Sequence, residues 1–298
     1  MAESADAVLY KHVRMAPLRH KTERPRGIVH GPGQGQANGE PVRLLRLEPP
    51  AELAPYVEHF WVVRWSLPAG QTLEQATLPH PVVHWTVEGT RSELLGVTRG
   101  RFVRRLSGSG RVVAAKFRPA GLCAFTREPL HTLTDREVPA SRLLGAKVGR
   151  ALRGLDALGE EEAVERLSAA LSSLEMTPDP AADEARRIVE HIAGNREVTA
   201  VETAARWAGF TVLALQRLFR AKVGVSPKWV IQRYRMHEAL ERLATGALSR
   251  SGTPGFAELA LELGFTDQAH FCRVFKQFVG ESPAAYADRV RLERTKGS

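Results

Sequence analysis

The sequence predicts an α+β protein, with short antiparallel strands and a helical hairpin in its N-terminal half and helices alone in its C-terminal part. Three observations predict this fold class. Residues 42–140 form short runs rich in Val, Trp, Phe and Leu that Gly and Pro interrupt, which is typical of antiparallel strands. Residues 141–175 and 183–290 instead place apolar residues at helical spacing. The third observation is a repeat, because RLFRAKVGVSP at 217–227 returns as RVFKQFVGESP at 273–283.

Composition places the chain among globular proteins. It has 298 residues, of which 43% are hydrophobic and 25% charged, and this length suits two domains of about 100–150 residues each. No run of about 18 apolar residues is present and the N-terminus lacks a secretory signal, so we expect no membrane association and a cytoplasmic location. Cys123 and Cys272 are too few for a disulfide framework or a cysteine-rich zinc site.

Shifts in composition predict the domain boundaries. Residues rich in Gly, Gln and Pro cannot bury a core and indicate a flexible tail, and the prolines of MTPDPAA indicate a linker. The predicted segments are a tail at 1–41, a β-rich domain with a helical hairpin at 42–175, a linker at 176–182, a helical domain at 183–290 and a basic tail at 291–298.

One strand and the helical hairpin are the clearest elements of the N-terminal domain. Trp61 and Trp65 alternate with Val62 and Arg64, as in a half-buried strand. The segment SRLLGAKVGRALRGL predicts one helix of the hairpin, which is joined to the other through Gly159. The second helix carries an apolar stripe that either pairs with a twin helix in a dimer or lies on its own chain: Val164, Leu167, Leu171 and Leu174.

The repeated unit carries the same helix signals in both copies. Those of the first copy are a capping box at Thr199 and Glu202, a closing Gly209, a cap at Thr211, a closing Gly224 and a new start at Ser226-Pro227. Those of the second copy are Thr253-Pro254, Gly264, Thr266, Gly280 and Ser282-Pro283. Each copy therefore predicts two short helices that are joined by a tight turn, followed by a further helix.

Two helices joined in this way form a helix-turn-helix motif, whose second helix fits the major groove of DNA. That helix shows Gln and Arg to solvent in both copies, and these side chains can recognise adenine and guanine. The helix that begins at Ser226 is predicted to run to about Leu243. Its length of about 27 Å is close to the separation of about 34 Å between successive major grooves on one DNA face.

Charge favours a polyanionic partner. The formal net charge is +9, and the stretch between Glu202 and Glu238 contains no acidic residue. Its basic residues predict a positively charged patch over the first copy of the repeat: Arg206, Arg217, Arg220, Lys222, Lys228, Arg233 and Arg235.

Residues 183–290 resemble the DNA-binding domain of the AraC/XylS transcription regulators. The segment FAELALELGFTDQAHFCRVFKQFVGESPAAY carries most of the resemblance, and VTAVETAARWAGFTVLALQRLFRAKVGVSPKWVIQRYR supports it. In that family the second helix of each motif enters DNA. The resemblance implies that bases are contacted by Leu213, Gln216 and Arg217 in the first motif and by Gln268, Ala269, His270 and Arg273 in the second. It implies that Arg220 and Lys276 contact phosphates.

The first of these helices departs from the family pattern. It opens with Val212, Leu213 and Ala214, where relatives often carry larger polar groups. These side chains can touch a thymine methyl group but cannot hydrogen-bond a base edge. Base choice at the first half-site is therefore expected to depend mainly on Gln216 and Arg217.

A weaker resemblance to the same regulators extends over residues 42–175. It implies a small antiparallel β-barrel of cupin type with a helical hairpin, acting in sensing or oligomerisation. The expected partners are then double-stranded DNA, RNA polymerase, a small-molecule effector and a second copy of the chain.

No metal or cofactor is expected. Four histidines could in principle bind a metal ion: His59, His80, His84 and His131. However, there is no His-x-His pair, and in a strand His80 and His84 would lie about 13 Å apart, which is too far for one metal ion. The large aromatic residues of the region either line a pocket or fill the core, and the second alternative is favoured: Trp61, Trp65, Trp85 and Phe117.

The chain is not expected to be an enzyme. DNA-repair methyltransferases with this type of DNA-binding domain need a four-cysteine zinc site and a reactive Pro-Cys-His cysteine, and Cys123 in GLCAF has no such neighbours. The sequence therefore predicts a sequence-specific DNA-binding transcription regulator, with activation favoured. A ligand-dependent repressor and a weakly specific DNA-binding protein remain alternatives.

Overall fold

The computed structural model describes residues 19–20, 28–30, 41–245 and 255–296. The predicted tail at 1–41 lies mostly outside the described residues. The predicted helix start at Thr253-Pro254 and the last two residues of the tail at 291–298 also lie outside them.

Among the residues that the structure describes, the N-terminal region has nine strands in two antiparallel sheets. The strands are β1 (Ile28–His30), β2 (Val42–Leu47), β3 (Val57–Ser66), β4 (Thr72–Thr77), β5 (His84–Glu88), β6 (Arg91–Leu95), β7 (Phe102–Ser107), β8 (Ser109–Phe117) and β9 (Glu137–Pro139). One sheet has six strands in the order β2-β3-β8-β5-β6-β9, and the other has three in the order β1-β4-β7.

The expectation of a closed barrel was wrong. β4 leaves the larger sheet to pair with β7 and β1, so the consecutive strands do not form one continuous ladder. The terminal strands of the larger sheet, β2 and β9, do not pair with each other within the described part of the chain. The sheet is therefore open.

Both faces of β3 are covered. On one face Phe60 and Val62 belong to the main core. On the other, Trp65 packs with Leu106 of the smaller sheet, and its indole nitrogen donates to the carbonyl of Ser107 at 3.1 Å. The predicted strand is confirmed, but Val62 is 1% exposed, because it packs in the main core, on the face that the alternation predicted to be exposed to solvent.

Short helices connect the sheets to the C-terminal region. They are α1 (Ala140–Leu144), α2 (Ala146–Ala151) and α3 (Glu160–Ser172). The segment predicted as one helix is divided at Gly145, whose φ is +82°, a conformation in which an α-helix cannot continue.

The apolar stripe of α3 lies on the sheet of its own chain. Val164, Leu167 and Leu171 are fully buried, and α3 contacts β8 and β3. Of the two alternatives left by the sequence, packing within the chain therefore accounts for this stripe.

The described part of the C-terminal region consists of seven helices. They are α4 (Pro180–Gly194), α5 (Val201–Ala208), α6 (Val212–Lys222), α7 (Pro227–Thr245), α8 (Phe256–Glu262), α9 (Gln268–Val279) and α10 (Pro283–Lys296). α5 with α6 and α8 with α9 form two helix-turn-helix pairs, and α7 runs between them. None of the described helices is long and apolar enough to cross a bilayer.

Several predicted helix ends are confirmed and two caps are wrong. Gly209 and Gly280 end their helices in the left-handed conformation, which glycine adopts without steric cost. Ser226 accepts a hydrogen bond from the Trp229 amide at the start of α7. Thr199 does not cap α5, whose N-cap is Ala200. α9 is capped by Asp267 rather than by Thr266.

The two regions share hydrophobic cores. Leu130 and Leu133 of the N-terminal region belong to the same buried cluster as Phe219 of α6. Leu78, which follows β4, belongs to a second cluster with Phe275 of α9. The helical region is therefore packed against the N-terminal region through both of its motifs.

Candidate nucleic-acid interface

α6 and α9 are equivalent helices that lie 56 positions apart. Leu215 and Phe271 occupy the same inward position, as do Phe219 and Phe275, and all four are fully buried. These aromatic and aliphatic anchors fix which face of each helix is turned away from the protein.

Side-chain caps set the first turn of both helices. The hydroxyl of Thr211 accepts a hydrogen bond from the Ala214 amide at 3.2 Å. The carboxylate of Asp267 accepts one from the His270 amide at 2.7 Å. Both bonds satisfy an amide that has no partner inside the helix, so the two helices begin in the same way.

The turn of the second motif is one residue longer than that of the first. Gly209 precedes the cap Thr211 by two positions, whereas Gly264 precedes the cap Asp267 by three. Thr266 is the extra residue, and it is exposed. The sequence prediction placed the cap on Thr266 because Thr211 has that role in the first copy.

The predicted contact residues of α6 share one outward face. Leu213 is 55% exposed, and Gln216, Arg217 and Arg220 are also exposed. An apolar side chain as exposed as Leu213 offers a methyl surface beside an amide and two guanidinium groups.

The predicted contact residues of α9 are exposed with one exception. Gln268, Ala269, Arg273 and Lys276 face solvent, whereas His270 is half-buried. The His270 ring meets Phe265 edge-on, with 5.4 Å between the ring centres, and its Nδ1 lies 3.4 Å from the Thr266 hydroxyl oxygen. Part of the His270 side chain is therefore engaged within the protein.

Equivalent positions on the two helices differ in chemistry. Arg217 matches Arg273, and Arg220 matches Lys276, so the cationic positions are kept. Val212 matches Gln268, Leu213 matches Ala269 and Ala214 matches His270, so α6 begins with apolar groups alone, whereas α9 has an amide and an imidazole in its first turn.

The prediction of a continuous basic patch was wrong for three of its members. Arg233 and Arg235 are 0% and 3% exposed, and the ammonium of Lys222 is bound to the carboxylate of Asp179 at 2.6 Å. α7 contacts α4, α5, α6 and α10, so its arginines point into the protein. The exposed basic residues between Glu202 and Glu238 are Arg206, Arg217, Arg220 and Lys228.

Arg233 lies where the two regions meet. Its Nη2 donates to the carbonyl oxygens of the segment between β6 and β7, at 2.6 Å to Arg99 and 3.3 Å to Thr98 and Gly100. Burial lowers the pKa of Arg233 to about 9, so its guanidinium is charged at neutral pH. Helical spacing alone gave no sign of this role.

Arg235 connects α7 to the end of α4. It donates to the carbonyl of Asn195 at 2.7 Å and binds the carboxylate of Glu238 at 2.9 Å. Burial is the main reason why its pKa is lowered. Both buried arginines thus hold the helix that separates the two motifs.

Three of the four histidines lie near one another: His59 and His84 are both register partners of Lys116 on β8, and His84 is close enough to His80 for its charge to act there. His84 accepts a hydrogen bond from the Trp61 indole at 3.3 Å, and His80 stacks on His237 of α7 with 4.1 Å between ring centres. Burial, with the charge of Lys116, lowers the pKa of His84 to about 3. The part of the chain that the structure describes contains no cluster of three or more His, Cys, Asp or Glu suited to a metal ion.

The large aromatic residues fill the N-terminal core. Trp85 and Phe117 are fully buried and Trp65 is 6% exposed, while Trp61 is half-buried. Cys123 is also buried, and burial raises the pKa of its thiol to about 12, which is typical of an unreactive cysteine.

Two family models match the chain. Residues 204–289, which include both helix pairs, match the family described as "Helix-turn-helix domain". The C-terminal region is an AraC-type helix-turn-helix domain. Residues 45–139, which include strands β3 to β9, match a "Domain of unknown function (DUF6597)".

Curated relatives are transcription regulators by name. The chain is 26% identical over 208 residues to the transcriptional activator NphR of a Rhodococcus species, which covers 70% of this chain and 57% of the relative. It is 35% identical over 82 residues to the transcriptional activator AarP of Providencia stuartii, which covers 28% and 56%. The chain thus spans little more than half of these relatives' lengths.

A solved structure of ToxT from Vibrio cholerae O395 is also similar. It matches 77% of this chain and 96% of its own, with 13% identity and a TM-score of 0.37.

Proposed function

We propose that the protein is a sequence-specific transcription regulator that binds double-stranded DNA through α6 and α9 in two adjacent major grooves. The observation that carries this proposal is the pair of equivalent helices, each anchored by two fully buried apolar side chains and each exposing an Arg at the same position. α7, which joins the two motifs, has 19 residues and is therefore about 28 Å long. That length is compatible with a separation of about 34 Å between the two DNA-contacting helices.

Each exposed residue has a role in this proposal. Arg217 and Arg273 would fork onto guanine, and Gln216 and Gln268 onto adenine. Arg220 and Lys276 lie one turn further along their helices and would bind phosphates, which positions the protein without reading sequence.

The less polar residues would read shape and methyl groups. Leu213 and Ala269 offer apolar contact to thymine. His270 would contribute through the part of its ring that Phe265 leaves exposed. Because α6 begins with apolar side chains, the second half-site would dominate base choice.

Activation is the favoured direction of regulation, because NphR and AarP are both called activators. An activator that works in the bacterial cytoplasm acts on RNA polymerase, and a small-molecule effector and a second copy of the chain are further proposed partners. A ligand-dependent repressor is the alternative. We place no catalytic activity on the chain, in keeping with relatives named as regulators.

Genome-wide binding of the purified protein to sheared DNA of its own organism tests the proposal at near-physiological salt. We expect a few sharp sites, each with two half-sites whose centres lie about 10 base pairs apart. Diffuse binding that disappears with a modest increase in salt would instead indicate electrostatic binding without base reading. A reporter gene placed behind a recovered site then gives the sign of regulation.

A further inference from the structure

The N-terminal region holds the end of α6. The hydroxyl of Thr134 donates a hydrogen bond to the carbonyl of Gly224 at 2.7 Å. Gly224 has a φ of +94°, and a side chain there would stand 3.0 Å from the Leu130 carbonyl oxygen. The thiol of Cys123 also points at the carbonyl of Lys222, at 3.7 Å. The N-terminal region thus approaches the backbone of the first motif closely at Gly224, whose positive φ already favours glycine.

The same region holds the end of α9 at the equivalent position. Nη1 of Arg101 donates a hydrogen bond to the carbonyl of Val279 at 3.1 Å. Gly280 also has a φ of +94°, and a side chain there would stand 2.7 Å from Nη1 of Arg101. Gly224 and Gly280 are 56 positions apart, so both motifs are contacted at the same point of the repeat.

A third contact lies between these two. Arg233 of α7 donates to the carbonyls of residues 98–100, which directly precede Arg101. Apolar packing accompanies the polar contacts, since Leu78 shares a buried cluster with Leu240 of α7 and Phe275 of α9. One region therefore contacts the first motif, the helix between the motifs, and the second motif.

We propose that the N-terminal region fixes the relative position of α6 and α9, and so sets the half-site spacing that the protein accepts. Arg101 and Thr134 are the positioning residues, because each contacts the end of one DNA-facing helix and neither is among the predicted DNA contacts. This inference rests on the proposed function. When two DNA-contacting helices belong to one rigid body, no further entropy is lost in orienting the second helix once the first has bound. Both half-sites are then bound together, but only at the spacing that the rigid body imposes.

The test uses the full chain, a recovered two-half-site DNA, and versions of it with the spacer changed by one or two base pairs. Each half-site alone is measured as well. The variants are Arg101→Met, Thr134→Val and the double variant, and Arg105→Met is the control, since Arg105 is an exposed arginine of the neighbouring strand β7. Thermal unfolding checks that each variant is folded, and the exposed side chain of Arg101 makes its single variant the safer one.

We expect the wild-type chain and Arg105→Met to favour one spacing by about tenfold or more over its neighbours. The positioning variants should keep half-site affinity within about twofold and lose most of that preference. An unchanged spacing preference in folded Arg101→Met and Thr134→Val would overturn the inference. Tighter binding of these variants at every spacing would also overturn it, because the contacts would then restrain DNA binding. Absence of any half-site preference in the wild-type chain would refute the proposed function itself.

Discussion

The guanidinium of Arg233 lies 4.8 Å from the centre of the Phe278 ring. Arg233 belongs to α7 and Phe278 to α9, and the guanidinium also lies 4.4 Å from the centre of the Trp229 ring. The sequence places Arg233 in a stretch that is predicted to face a polyanion. Arg233 instead lies in the interior, where it connects α7 to the second motif.

Replacing Arg233 with alanine should lower the free energy of unfolding by about 2–5 kcal/mol. The substitution leaves a cavity between Trp229 and Phe278, and it removes the donor that three backbone carbonyls share. Arg233→Met should cost less, because the methionine side chain fills most of that space. Denaturant titration of the full chain measures both losses.

The same substitutions should leave the salt dependence of DNA binding unchanged, since a buried guanidinium releases no counterion. Lys228→Met is the matched control, because Lys228 is an exposed basic residue of the same helix. If Arg233→Met lowered the slope of log K against log salt while the protein stayed folded, our description of Arg233 as an interior residue would be refuted.

Replacing Arg273 with alanine should weaken binding to the specific site by about 1–3 kcal/mol and relax the preference at one base pair. The physical reason is the loss of two hydrogen bonds from one guanidinium to one guanine. Fluorescence anisotropy with DNA substituted at each position measures both effects.

Gln277→Ala is the control for that experiment, because Gln277 is exposed on α9 and is not among the predicted contacts. It should change base preference little. A base preference that is the same in Arg273→Ala as in the wild type would show that α9 does not enter the groove as proposed.

Replacing Lys276 with alanine should weaken binding to all DNA sequences alike and reduce the salt slope by about one unit. Lys276 is a point charge at the same position of α9 that Arg220 occupies on α6, and a phosphate contact carries no sequence information. A loss confined to the specific site would instead assign Lys276 to base reading. Titration at four salt concentrations with specific and random DNA distinguishes the two.

The helices of the C-terminal region could be predicted in detail because their signals are local. Thr211 caps α6 as expected, and Leu215 and Phe271 are buried where the spacing places them. The error at Thr266 came from treating the copies as identical, although Thr266 and Asp267 are both residues that cap helices. Local signals gave two suitable residues, and the longer turn decided between them.

The contacts between the two regions could not be predicted, because no local pattern encodes them. The positive charge of Arg233 resembles that of Arg217 in the sequence, and only the packing of α7 against its neighbours distinguishes a buried arginine from an exposed one. The barrel failed for a related reason. Alternation identifies a strand but not its partner, and β4 pairs in a second sheet with β7.

The buried histidines predict a pH dependence of stability. The pKa of His84 is lowered to about 3 by burial and Lys116, whereas an unfolded histidine titrates near 6.5. Between these two pKa values, His84 is therefore protonated in the unfolded chain but neutral in the folded chain. The stability that the neutral His84 contributes is fully present above about pH 6.5 and is lost progressively as the pH falls towards 3.

His84→Gln isolates this contribution, because the amide oxygen can still accept from the Trp61 indole but does not titrate. Between pH 6 and pH 4 the variant should lose about 1.4 kcal/mol less per pH unit than the wild type, the equivalent of one proton. Urea unfolding at several pH values gives the slopes directly. Equal slopes for His84→Gln and the wild type would mean that His84 can take up its proton in the folded protein, and that its burial beside Lys116 does not keep it neutral.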